Sequence, residues 1–165
     1  MKIAICSDSH DNLTNIKKFL SWCNRHKVKT ILHCGDWCAP SALEYYRKYF
    51  KGEIVGVYGN VHADDETMKK FARKNKIKIK EDELSLKIEG IKILLTHYPE
   101  KAKAIAETDK HDLIFYGHNH VPWMKKVDNS YIANPGTLAG MFNKASFAVY
   151  DTKTRKLDLK ILELI

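Results

Sequence analysis

Two hydrophobic periods alternate along this chain. Short runs rich in Ile, Val, Leu and aromatic residues have the length and β-branched content of buried strands. They are Lys2–Ser7, Thr30–Cys34, Glu53–Tyr58, Leu84–Ile88, Ile91–Thr96, Asp112–Tyr116, Trp123–Val127, Ser130–Ala133, Ala145–Asp151 and Lys156–Leu162. Between the early runs the period lengthens. Leu13, Ile16, Phe19, Leu20 and Cys23 recur at helical spacing, predicting an amphipathic helix capped by Asp11 or Asn12. Pro40 suits the first turn of a second helix reaching Phe50 and ended by Gly52. Asp64 or Asp65 opens a third, through Lys74, and a short fourth covers Lys101–Glu107.

Strand and helix alternate in the first half, which predicts parallel pairing through right-handed crossovers. The second half is richer in strands joined by short turns, with Val127-Asp128-Asn129-Ser130 predicted as a hairpin. The pattern is that of an α/β protein, a mixed sandwich with helices on its outer faces. No repeat or linker interrupts it, so residues 1–165 read as one domain.

Composition narrows the class. Of 165 residues, 44% are apolar and 29% charged, the balance of a folded chain. No stretch approaches the roughly 20 apolar residues that cross a bilayer. The start, Met1 to Asp8, lacks the apolar core of a signal peptide, so the expected location is the cytoplasm. Four cysteines without a Cys-x-x-Cys pair exclude a disulfide framework and a zinc ribbon; they are expected to be reduced, buried and apolar in role. A net charge of +8 is compatible with a phosphate-bearing substrate or nucleic acid. Seven of the twelve residues Lys69–Lys80 are basic. Because Glu81-Asp82-Glu83 follows at once, that run reads as a solvated helix face and an alternating strand rather than a nucleic-acid track.

The chemistry lies at the strand ends. Five strands run into Asp8-Ser9-His10, Gly35-Asp36, Gly59-Asn60, His97 and Gly117-His118-Asn119-His120. In open α/β sheets ligands bind just beyond the carboxyl ends of strands, so these side chains can share one cleft. Two aspartates, one asparagine and four histidines form a donor set for Mn, Fe, Ni or Zn. Asp8 with His10, and His118 with His120, are spaced to point the same way from extended backbone. Seven donors exceed the needs of one ion and suit two that share a carboxylate. Each motif alone is commonplace; five at strand ends are not.

Together these motifs resemble the calcineurin-like metallophosphoesterase family, in particular its small phosphodiesterase branch. The resemblance extends from Asp8 to Asn134-Pro135-Gly136. It implies a four-layer α/β/β/α sandwich of two mixed sheets. It also implies one metal on Asp8, His10 and His120, a second on Asn60, His97 and His118, and Asp36 bridging both. Mn is the usual ion in relatives, with Fe, Ni or Zn as alternatives. A bridging hydroxide would attack phosphorus opposite the leaving alkoxide, and the Asn60 amide would touch the phosphate. Asn134 and Gly136 would shape the backbone behind His118 and His120.

Two positions depart from the family pattern. Monoesterase relatives place a proton-donating His directly after the Asn, where this chain has Val61; His62 comes next and is a candidate general acid. The common Thr-His-Gly-His is replaced by Thr96-His97-Tyr98-Pro99. Both departures favour diester chemistry. The expected activity is a dinuclear phosphodiesterase acting on small or nucleotide-like diesters, with Asp36, Asn60 and His62 catalytic. No membrane partner is expected, and an oligomer is compatible with the sequence. The competing readings are a scaffold, as in the eukaryotic retromer subunit that resembles this fold with eroded metal histidines, and a nuclease or nucleotide phosphatase supported by charge alone. His33 reads as a hydrogen-bonded neighbour of Asp36. Trp37 and Trp123, and Cys34 and Cys38 on either side of Asp36, read as packing residues.

Overall fold

Alternation along each strand decides which of two cores a side chain joins. In the computed structural model, which describes residues 1–108, 111–127 and 130–165, the first half reads β1 (Lys2–Cys6), α1 (Leu13–Arg25), β2 (Thr30–His33), α2 (Pro40–Tyr49), β3 (Glu53–Val57) and α3 (Asp65–Lys74). Then come β4 (Lys78–Lys80), β5 (Glu83–Ile88), β6 (Ile91–Thr96), α4 (Pro99–Thr108) and β7 (Leu113–Phe115). The chain continues through β8 (Trp123–Val127), β9 (Ser130–Asn134), β10 (Ser146–Asp151) and β11 (Lys156–Ile161) to a 3₁₀ turn at Leu162–Leu164.

One sheet has the order β11-β10-β1-β2-β3-β4, the other β5-β6-β7-β9-β8. β1 to β4 are parallel and β10 lies antiparallel on β1; β6, β7 and β9 are parallel, with β5 and β8 antiparallel at the edges. Ile3 and Ile5 of β1, with Leu32, Val55 and Val57, face Ile93, Leu95, Leu113 and Phe115 across the inter-sheet core. The intervening Ala4, Cys6, Ile31 and Ile54 turn outward to α1, α2 and α3, meeting Phe19, Leu20, Leu43, Tyr46 and Met68. On the far side, Leu94 and Ile114 receive Ala102 of α4. The order helix, sheet, sheet, helix is therefore what the sequence and the resemblance anticipate. Strands covered on both faces need apolar residues at nearly every position, which is why they read as runs. Phe147 meets Phe19 and Trp22 edge-on at 5.1 and 5.0 Å, and burying such a ring contributes about 2–3 kcal/mol.

Helix starts divide the work of two adjacent residues. Asn12 caps α1, accepting from Asn15 N–H at 3.1 Å, while Asp11 accepts from Ala39 N–H at 3.2 Å, ahead of the first turn of α2. Asp64 caps α3. The expected end of α2 needs correction. The helix stops at Tyr49, with Phe50 already extended, so Gly52 is no left-handed cap. Its role is close approach: a Cβ there would lie 2.4 Å from the Lys29 carbonyl oxygen. Strands β8 and β9 pair antiparallel as expected, though the turn residues Asp128 and Asn129 lie outside the described residues. Trp37 is fully buried and donates from Nε1 to the Val57 carbonyl at 2.8 Å. Trp123 departs from the packing expectation: on edge strand β8 it is 41% exposed. Cys6, Cys23 and Cys34 are buried and Cys38 half-buried, all as free thiols. No helix among the described residues is long and apolar enough to cross a membrane.

Candidate metal centre

The carboxyl ends of β1, β2 and β3 in one sheet meet those of β6 and β7 in the other. Backbone bonds carry the pairing past the strand ends. Asp8 N–H donates to the Gly35 carbonyl (2.9 Å), Asp36 N–H to Tyr58 (2.8 Å) and Gly117 N–H to His97 (3.0 Å). The loops holding the polar side chains are thus laced together before any side chain interacts.

All seven predicted donors converge. Asp8 Oδ1 lies 3.2 Å from His120 Nε2 and 4.0 Å from His10 Nε2, and those two nitrogens are 3.4 Å apart. Asn60 Oδ1 lies 2.8 Å from His97 Nε2 and 3.0 Å from His118 Nδ1. Asp36 stands between the groups, Oδ2 3.7 Å from His10 Nε2 and Oδ1 3.5 Å from His97 Nε2. Asn60 and Val61 N–H groups donate to that Oδ1 at 2.9 and 2.8 Å.

The route to convergence differs from the expected one. Asp8, His10, His118 and His120 are not in extended backbone; their φ values are +51, +39, +73 and +60°. The chain curls through left-handed conformations, which Asp and His tolerate better than most residues. The curl is held by Ser9 and His10 N–H groups on the Asp36 carbonyl (3.1 and 3.2 Å) and by His118 N–H on Asp8 Oδ2 (3.2 Å). Gly117 is needed for close approach, because a Cβ there would meet Ser7 Oγ at 2.0 Å.

The other ring nitrogens are positioned too. His10 Nδ1 faces Cys38 Sγ (3.4 Å), His97 Nδ1 the Cys34 carbonyl (2.8 Å) and His120 Nδ1 the Met141 carbonyl (3.4 Å). The two carbonyl partners hold the proton on Nδ1 of His97 and His120 and leave Nε2 free to ligate. Burial works to raise the Asp8 carboxyl, but His120, Ser7 and His97 together outweigh it and hold the group below its ordinary value. In return, the Asp8 carboxylate lifts His120 above the usual imidazole range.

A cation fits this donor set. Asp8 Oδ1 is buried and takes no well-directed hydrogen bond, although it faces two imidazole nitrogens. Donor atoms of Asp8, His10 and His120, and again of Asp8, Asp36 and His97, lie within 4.8 Å of one another, close enough for one ion to touch each group.

Residues 1–155 match the calcineurin-like phosphoesterase superfamily domain. This chain belongs to that superfamily. Phosphodiesterase MJ0936 of Methanocaldococcus jannaschii is 28% identical over 167 residues, 99% of this chain and 100% of that protein. A solved archaeal phosphodiesterase superposes with a TM-score of 0.90 at 27% identity, covering 98% of this chain and 99% of its own. The zinc complex of Vps29 from Entamoeba histolytica has a TM-score of 0.70 at 18% identity, covering 98% and 99%, and so shares the fold. The superfamily acts on phosphate esters, and five of the seven donors, Asp8, His10, Asp36, His97 and His120, form the groups that could hold a metal ion.

Further side chains surround the donors. Asn134 Nδ2 donates to the Gly117 carbonyl (3.0 Å) and Asn119 Oδ1 (2.7 Å), behind the His118–His120 loop as expected. Tyr98 packs edge-on to His118 at 5.3 Å, and Phe142 lies 5.8 Å from the His120 ring; no motif announces either. His62 is held by the first turn of α3, its Nε2 2.8 Å from Asp65 Oδ1.

Proposed function

We propose that this protein is a phosphodiesterase whose two divalent cations share Asp36. Asp8, His10 and His120 would hold one ion and Asn60, His97 and His118 the other, with Mn first among Mn, Fe, Ni and Zn. The observation that carries the reading is the division of one carboxylate between two histidine groups, Oδ2 toward His10 and Oδ1 toward His97. When bound, such a pair of ions supplies an activated water and neutralises charge during in-line displacement at phosphorus. The chain supplies the geometry. Asn60 and Val61 N–H groups fix the Asp36 carboxylate, and the Asn60 amide lies beside His97 and His118, where it can meet a phosphate oxygen. Val61, exposed, stands where monoesterase relatives have an imidazole, which favours diesters, small or nucleotide-like. His62, held by Asp65, is the proposed proton donor. Four free thiols suit a cytoplasmic enzyme.

The test begins with chelator-stripped protein reloaded singly with Mn, Ni, Fe or Zn. Bis(4-nitrophenyl) phosphate should be hydrolysed after reloading and not before, and faster than 4-nitrophenyl phosphate. Failure with every metal, or preference for the monoester, overturns the reading. His62→Ala should slow diesters with poor leaving groups more than those with good ones; equal rates remove His62 from the mechanism.

A further inference from the structure

We propose that Phe142 sets substrate class at this site: its ring receives a flat ester group, aryl or nucleobase, of the phosphoester bound at the metal centre. The inference rests on the phosphodiesterase reading for the position of the phosphate.

Phe142 is 90% exposed, and its φ is +63°. Both features oppose folding. A phenyl ring in water forgoes the gain of burial, and a residue with a Cβ is strained in the left-handed region. Among the described residues the ring joins none of the three hydrophobic clusters. What the conformation achieves is placement. The ring centroid is 5.8 Å from that of His120, the planes inclined by 35°. Met141, just before it, also holds His120 through its carbonyl oxygen, so the tip that carries the ring also orients the ligand.

The placement is firm because the base of the loop is tied to the Asp8–His10 segment. Leu138 N–H donates to the Ser7 carbonyl (2.9 Å) and Ala139 N–H to that of Asp8 (3.0 Å). Asn12 and Asn15 amides donate back to the carbonyls of Ala139 and Leu138 at 2.9 and 3.0 Å. The strand-end loop that carries Asp8 and His10 therefore also anchors the loop that carries the ring. Met141, the residue before it, is exposed as well. A phosphate held beside His120 brings its ester substituent within reach of the ring. The complement of one exposed aromatic face is another flat π system, and stacking of that kind accepts any base or aryl group.

The test compares phenylphosphonate with methylphosphonate, which share the anionic head and differ in the flat group. Calorimetric titration of the Mn-loaded protein should show phenylphosphonate binding at least about tenfold tighter. Phe142→Ala should abolish that preference while methylphosphonate still binds, and Phe142→Trp should keep it. A preference absent from the wild type, or unchanged in Phe142→Ala, overturns the proposal. Bis(4-nitrophenyl) phosphate hydrolysis, assayed in parallel, separates the two readings. Preference without hydrolysis removes the diesterase reading and leaves the ring's role standing; hydrolysis with an unaltered ratio removes the ring alone.

Discussion

His97 Nδ1 lies 2.8 Å from the backbone carbonyl of Cys34, so the loop after β2 orients a ligand at the end of β6. A carbonyl oxygen only accepts, and the proton must therefore sit on Nδ1. That leaves the Nε2 lone pair facing Asn60 Oδ1 at 2.8 Å and Asp36 Oδ1 at 3.5 Å. Three acceptors aimed at one another are unfavourable until a cation lies between them.

Metal removal should consequently be felt as lost stability. An ion at a hundred times its dissociation constant adds about 2.7 kcal/mol to the folded state, which for a chain of this size is a rise of about 5–10 °C in melting temperature. Scanning fluorimetry of stripped and Mn-saturated protein checks this. Identical melting curves would mean that the acceptors are satisfied by something other than a metal.

Asp36→Asn isolates the shared carboxylate. The amide keeps an oxygen for the Asn60 and Val61 N–H groups but sets an NH₂ where Oδ2 faces His10. The fold should survive. Removing even an outer partner of a ligand costs about 10–100-fold, so loss of the carboxylate itself should lower kcat by at least about 100-fold. Elemental analysis should find fewer than two ions per chain. Full occupancy at the wild-type rate would end the case for a shared ligand.

Gly59→Ala tests how tightly the loops are laced. Gly59 has φ +89°, and a Cβ there would lie 2.3 Å from Asp36 Oδ1 and 2.4 Å from the Asp36 backbone nitrogen. Backbone strain and the clash add, so the loss should exceed about 3 kcal/mol by urea denaturation. A loss below about 1 kcal/mol would show the loops to be more yielding than the distances indicate.

Strand ends carry most of what is legible in the sequence. Buried strands leave short apolar runs, and polar residues just past them stand out, so Asp8, Asp36, Asn60, His97 and His118 are visible as a group. Their backbone is not. The i, i+2 spacing of Asp8 and His10 implies an extended chain, whereas the curl depends on N–H groups bonding to the carbonyl of Asp36, far along the sequence. Gly52 fails as a cap for the same reason: the Lys29 carbonyl that demands a glycine is remote in sequence. An aromatic residue in a chain is ordinarily a core residue, so neither the exposure of Trp123 nor that of Phe142 is legible.

His33 supplies a pH test. It is fully buried, stacked on Trp37 at 3.6 Å. Gly35 N–H donates to its Nδ1 (3.2 Å), which places the ring proton on Nε2, facing Ser9 Oγ at 3.1 Å. Burial pushes its pKa down to about 3; the Asp8 charge opposes this, and His97 and His10 add to it. The unfolded chain therefore takes up a proton below the ordinary value of 6.5 that the folded protein refuses until about 3. Stability from this group is complete above pH 6.5 and falls as pH drops toward 3, by up to about 1.4 kcal/mol per pH unit. Urea midpoints of metal-stripped wild type and His33→Gln, measured from pH 7 to pH 4, should converge as pH falls, because the variant lacks the titrating ring. Parallel profiles would place the acid sensitivity in the carboxylates instead.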